Sequence, residues 1–159
     1  MARVIKPGKF KYPLETVLKV RGIKERKEQE KFAEKKREYI KEKEREEQLE
    51  RERVEKQKEL RRIIKRGPIS DFERVLRRKA HLGVVKERLD EQIEKVIEAS
   101  QRLESQRAKL LESMKDRKII EKDKEHYFDE YQELMKGLEV KFLDEIATLR
   151  YKHKETKEP

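Results

Sequence analysis

The chain has 159 residues, half of them Asp, Glu, Lys or Arg, with 33% hydrophobic residues, no cysteine and a formal charge of +10. So few apolar side chains exclude a thick two-layer core. Leu, Ile, Val and Phe still supply a quarter of the chain, above the roughly 20% below which a highly charged sequence stays disordered. Ala, Glu, Lys, Leu and Arg together pass the roughly 50% typical of coiled coils and long helices. The composition predicts a thin helical seam.

The absence of Cys removes disulfides, thiolate metal sites and cysteine nucleophiles, and suits a reducing compartment. No uninterrupted apolar run exceeds two residues, as at Ile63-Ile64 and Ile119-Ile120. Nothing in it reads as a bilayer span or a signal-peptide core, so the expected address is the cytoplasm. The positive charge sits early: residues 14–66 hold 20 basic against 14 acidic residues, whereas 70–151 hold 18 against 19. That asymmetry fits attraction to an acidic protein, a nucleic acid or an anionic membrane, and does not choose among them.

In chain order, residues 1–12 read as a flexible basic segment. Pro13 suits the first turn of helix one, predicted over 13–66, because its missing N–H has no partner to lose there. The best 3-4 template for this helix runs 14, 18, 21 and onward to 63. Only Leu14, Leu18, Phe32, Tyr39, Leu49, Leu60 and Ile63 on it are apolar or aromatic. Between 41 and 59 the stretch has to rely on i,i+4 charge pairs and on Lys and Arg stems lying over the seam.

Gly67-Pro68 stops the helix, and Ser70 with Glu73 forms an S-x-x-E capping box that starts helix two, predicted over 70–151. On this helix a template at 75, 79, 82, 86, 89 and onward to 149 is mostly apolar, as a sustained coiled-coil seam should be. Gly22, Gly83 and Gly137 interrupt the helices without evident packing reason. Residues 152–159 read as a disordered tail. The predicted fold is all-α: two long helices forming an antiparallel coiled-coil hairpin with a bend near 67–69, position 66 − k facing 70 + k.

That register leaves residues 123–151 projecting beyond the pairing, partly accompanied by 1–12. The overhang carries Tyr127, Phe128, Tyr131, Phe142 and Tyr151 among several aliphatic residues. An unpaired helix with that much apolar surface should bury it against a partner protein.

Catalysis has little support. His81, His126 and His153 are scattered and start no metal-ligand spacing. Acidic pairs such as Glu46-Glu47 and Asp90-Glu91 lack a pocket to shift their pKa values. No phosphate-binding glycine loop occurs. The chain is read as no enzyme, with no catalytic residue, metal, cofactor or small-molecule substrate. In 24–66 the basic residues alternate with acidic ones without interleaved aromatics, which favours a solvated helix over a nucleic-acid footprint. Phe72 and Leu76, one turn apart after the bend, either close the seam against Ile63 and Ile64 or form a second docking surface; the first reading is favoured.

The two ends of the chain point further. The segment Phe10-Lys-Tyr-Pro-Leu14-Glu-Thr-Val17-Leu18-Lys-Val20-Arg21 resembles the start of FliJ-type proteins of the bacterial flagellar type III export apparatus. Leu143-Asp144-Glu145-Ile146-Ala147-Thr148-Leu149-Arg150-Tyr151 is similar to that family's D-E-I-A signature, and the resemblance covers about 10–151. It departs from the family in its charge-saturated 41–59 stretch.

The resemblance implies an antiparallel coiled coil like the two-helix part of a rotary-ATPase gamma stalk, cytoplasmic and peripheral to the cell membrane at the flagellar base. The implied partners are the hexameric export ATPase, a membrane-embedded export-gate protein and substrate chaperones. Membrane association would run through those partners, with no nucleic acid bound. On that footing Leu14, Leu18, Phe142, Asp144, Glu145, Ile146 and Leu149 are candidates for the ATPase ring, and Phe72 and Leu76 for the export gate. The competing readings are a nucleic-acid-binding basic hairpin and a structural coiled-coil spacer.

Overall fold

The computed structural model describes residues 8–65 and 72–155. They form two α-helices and no strand: α1, Glu15–Lys65, and α2, Phe72–Glu155. This is the all-α, two-helix fold that the proline spacing predicts. The bend at 67–69 and the Ser70 cap lie outside the described residues. Around Pro13 the chain makes one turn, with the Glu15 N–H donating to the Tyr12 carbonyl and the Leu18 N–H to the Leu14 carbonyl. Glu15 in the first turn of α1, and Arg62 and Lys65 in its last, each lie where the helix dipole favours their charge.

The chain divides into two compact units, Glu25–Ser113 and the two flanking segments up to Lys24 and from Met114 onward. Within Glu25–Ser113 the helices pair antiparallel. Arg78 meets Glu59 at 2.9 Å, His81 approaches Glu52 at 3.7 Å, Gln92 meets Glu42, and Gln106 meets Glu28. The predicted register places 94 opposite Glu42 and 108 opposite Glu28, two residues from the observed partners.

Every position of the α1 template from Glu25 to Ile63 is buried or half-buried. Seven of these are charged: Glu25, Glu28, Lys35, Glu42, Glu46, Arg53 and Lys56. Long side chains therefore do on α1 what aliphatic residues do in an ordinary seam: their methylene stems cover the partner helix while most of the charged heads reach water, Glu25 being buried with its carboxylate accepting from Gln29 at 3.3 Å. Ion pairs along the helix, such as Lys43–Glu46 at 2.8 Å and Arg53–Glu50 at 2.5 Å, hold those heads in place.

The α2 seam differs from its predicted phase. Leu82, Leu89 and Val96 are buried as expected, but the intervening contact positions are Val85, Gln92, Ala99, Gln106 and Ser113, not 86, 93, 100, 107 and 114. Ile93, on the predicted template, is 38% exposed. Counting apolar residues selects the wrong side of the helix because half of the true seam is polar or small.

The polar half is fully engaged. The Gln92 side-chain nitrogen donates to the Glu42 carboxylate at 2.6 Å and to the Glu42 backbone carbonyl at 3.0 Å. Gln106 does the same to Glu28, at 2.5 and 3.4 Å. An amide NH2 carries two protons and a helical carbonyl keeps a second lone pair, so both bonds form without breaking the helix. The two clamps are two heptads apart on each helix, with Ala99 midway between them on α2.

Ser113, also buried, satisfies its hydroxyl on the Leu110 carbonyl at 2.8 Å. Hydrogen bonds from Lys31 and then Gln106 hold the Glu28 carboxyl below the usual carboxylate range. Its contribution is therefore complete at neutral pH and is lost as the pH falls through that lowered value.

Replacing Gln92 and Gln106 together by Leu is expected to lower the melting temperature, since the part-buried Glu42 and Glu28 acceptors lose their donors. The same change should reduce disulfide formation between cysteines introduced at Leu49 and Val85, because register is then less strictly set; oxidation yield in this Cys-free chain measures it. Replacing Glu28 by Gln should flatten the acid limb of thermal stability followed by circular dichroism. Gly83→Ala should raise the melting temperature, by about 1 kcal/mol of stability, because a Cβ there meets nothing within 4 Å and Gly is a poor helix former.

Candidate partner-binding surface

In the unit formed by the two flanking segments, residues 8–24 lie along α2 from 116 to 131. Arg21 donates to the Asp116 carbonyl at 2.8 Å, and Glu15 pairs with Lys124 at 2.7 Å. Tyr12, only 7% exposed, sets its hydroxyl 2.7 Å from Asp123 Oδ2 and 3.2 Å from the Ile120 carbonyl, its single proton shared between the two acceptors.

Phe10 packs edge-on against Phe128 with ring centroids 5.0 Å apart, and lies 5.4 Å from Tyr131 and 6.0 Å from Tyr127. Such pairs contribute about 0.5–1.5 kcal/mol each beyond their buried area. Gly8 closes the contact: its carbonyl accepts the Tyr131 hydroxyl, and its φ of 136° suits only glycine.

This corrects the expected overhang. Tyr127 and Tyr131 are not free for a partner, because Phe10 and Tyr12 pack on them, whereas Phe128, in contact with Phe10, still leaves 40% of its surface exposed. The signal was present in the register, which extended to Tyr12 points at 124. The sequence reading of 1–12 as a flexible basic segment partly accompanying the overhang does not foresee the packing, because a segment without helical periodicity gives no contact face to count.

Beyond Tyr131, α2 continues to Glu155 with no segment of its own chain against it among the described residues. Here the apolar side chains are open to solvent: Leu138 is 38% exposed, Phe142 62%, Leu143 63% and Leu149 68%. Ile146 is half-buried by its helix neighbours. Leu138, Phe142, Ile146 and Leu149 recur at three- and four-residue steps, so they share one face of the helix, in line with Tyr131 and Met135.

Glu145 flanks that face, whereas Asp144 projects from the opposite side. Both carboxylates are exposed and unpaired among the described residues. Thr148 turns its hydroxyl back to the Asp144 carbonyl at 2.7 Å. The face can bury area against a partner, and Glu145 at its edge can orient it.

The other predicted residues lie apart. Leu14 is 39% exposed and Leu18 half-buried, at the level where Glu15 meets Lys124. That is about 27 Å along α2 from Phe142 at 1.5 Å per residue. The structure therefore groups Phe142, Ile146 and Leu149, with Glu145 beside them, and does not bring Leu14 and Leu18 to them. In the Glu25–Ser113 unit Phe72 is 64% and Leu76 49% exposed, while Ile64 is itself 52% exposed, so these residues close no seam.

In the same unit the positive charge of α1 is answered along the helix by Lys31–Glu28, Lys35–Glu38, Lys43–Glu46 and Arg51–Glu47. Among the described residues no cluster of His, Asp or Glu is disposed to hold a metal ion, and no helix is long and apolar enough to cross a membrane.

Comparison with known proteins adds three findings. The family model of the flagellar FliJ protein matches residues 10–156. A solved structure described as a putative YscO homolog, CT670, from Chlamydia trachomatis is similar at 26% identity and a TM-score of 0.60, covering 94% of this chain and 100% of that one. No curated protein matches.

Tyr12→Phe is expected to cost about 1–2 kcal/mol, through loss of its shared hydroxyl hydrogen bond and the stranding of a part-buried acceptor. Hydrogen exchange of amides 14–20 should accelerate in that variant, while amides 85–100 keep parental protection.

Proposed function

Since the chain belongs to the flagellar FliJ protein family, we propose that it is a coiled-coil component of the flagellar protein export apparatus that binds the hexameric export ATPase and stimulates it. The observation that carries this reading is the solvent-open face of Leu138, Phe142, Ile146 and Leu149 on α2, which has no cover from its own chain among the described residues.

A Phe or Leu passing from water into a protein interior contributes about 1.5–3 kcal/mol. A helix face that finds such a pocket only in an assembled ring stabilises that ring by mass action, and hydrolysis, performed by the ring, rises with it. Glu145 would pair with a basic group at the pocket rim, worth at most about 1 kcal/mol while exposed. Asp144, on the other side, would meet a different ring surface. Leu14 and Leu18 would make a separate contact lower on the unit, so a ring that engages both patches must be deep.

Phe72 and Leu76, exposed early in α2, are the surface we assign to the membrane-embedded export gate, and through the gate the chain would couple ATPase state to secretion and assist delivery of chaperone-bound substrates. The address that follows is the cytoplasmic side of the cell membrane at the flagellar base, held there by protein partners.

Replacing Phe142 and Ile146 together by Asp should abolish stimulation of the purified export ATPase and leave helicity by circular dichroism unchanged. Stimulation equal to the parent's would refute the assignment of this face. Concentration-dependent dimerisation of the parent through it, without effect on the ATPase, would favour the spacer reading.

A further inference from the structure

The start of α1 carries apolar side chains on two sides. Leu18 faces α2, but Val20 and Ile23 are 60% and 54% exposed, and Val17 is 39% exposed. At about 100° per residue, Thr16, Val20 and Ile23 fall on one narrow strip directly opposite the Leu18 and Arg21 side. Lys19 borders that strip on one flank and Lys24 on the other.

Charge here differs from the rest of α1. From Lys31 to Arg53 most basic residues have an acidic neighbour one turn away. Over residues 8–24 the single acidic residue is Glu15, already bound to Lys124, and Arg21 is bound to Asp116. Lys9, Lys11, Lys19 and Lys24 are exposed and in no ion pair among the described residues. The aromatic residues of this segment, Phe10 and Tyr12, are turned onto α2 and cannot serve as outward anchors.

A protein interface normally rests on a large aromatic or Arg anchor in a pocket. This face offers none. Short branched aliphatics bordered by free lysines instead match the shallow, negatively charged boundary of a lipid bilayer, where apolar area and lysine charge act together. We propose that the outward face of α1 over residues 16–24 docks directly on an anionic phospholipid surface, with Val20 and Ile23 entering the headgroup region and Lys9, Lys11, Lys19 and Lys24 meeting lipid phosphates. This contact goes beyond association through protein partners and does not depend on the ATPase reading.

The full chain is tested by co-sedimentation with phosphatidylcholine vesicles, alone or with about 30 mol% phosphatidylglycerol. Binding should require the anionic lipid and weaken as salt rises. K19E/K24E should lower partitioning at least tenfold, as loss and reversal of two surface charges requires. V20S/I23S, which leaves charge unchanged, should lower it several-fold with helicity retained. Absence of a preference for anionic vesicles overturns the proposal. So does parental binding by V20S/I23S, which would reduce the effect to diffuse charge, and so does capture by duplex DNA with no binding to vesicles.

Discussion

Two buried glutamines settle a problem that a charge-rich helix pair cannot otherwise solve. Where a seam is lined by Glu, Lys and Arg stems, sliding one helix past the other by a heptad costs little in apolar contact. Gln92 on Glu42 and Gln106 on Glu28 remove that freedom, because each amide needs a carboxylate and a carbonyl at one height. Buried polar groups are costly when unpaired, so a slipped register is penalised even where packing tolerates it. At the other unit the Tyr12 hydroxyl, held by Asp123 and the Ile120 carbonyl, has the same effect.

Most of the fold could be read from the sequence, and the failures have identifiable causes. Proline positions delimit both helices, and the α1 template is the contact face throughout Glu25–Ile63, although about half of it is charged. The same logic misplaced α2 by one residue at alternate positions, because Ile93 and Met114 look like seam residues and Gln92 and Ser113 do not. Periodicity scores hydrophobicity, whereas Gln92 and Gln106 are buried because a specific acceptor waits on the other helix. That residues 1–12 partly accompany the overhang is readable from the register, but the aromatic packing of Phe10 and Tyr12 is not, because contacts made by an irregular segment leave no periodic trace. The exposed face at Leu138–Leu149 was legible because nothing in the register could reach it. Its separation from Leu14 and Leu18 needed coordinates.

The flanking unit sorts its apolar residues into three uses. Phe10, Tyr12, Tyr127, Phe128 and Tyr131 are spent internally and fasten the start of the chain to α2. Leu138, Phe142 and Leu149, with the half-buried Ile146, remain uncovered on α2, and Val20 and Ile23 remain open on α1 among lysines in no ion pair with the described residues. Bulky residues in line with the seam suit a partner with a cavity; small ones opposite the seam suit a surface without depth. A coiled-coil protein of the flagellar FliJ family thus presents different chemistry on each exposed face, with the aromatic cluster keeping the two apart.

The charged α1 seam bears on how such a chain can diverge. Lys, Arg, Glu and Gln stems are nearly interchangeable as covers for a partner helix, so individual letters can drift while burial is maintained. What must be inherited, besides the two clamps, is phase: adding or removing one residue would rotate everything downstream by about 100° and turn seam into surface, whereas a heptad added to both helices at the same level would pass. A lineage built this way keeps its architecture long after its alphabet has scattered, which fits a solved structure sharing the architecture at 26% identity.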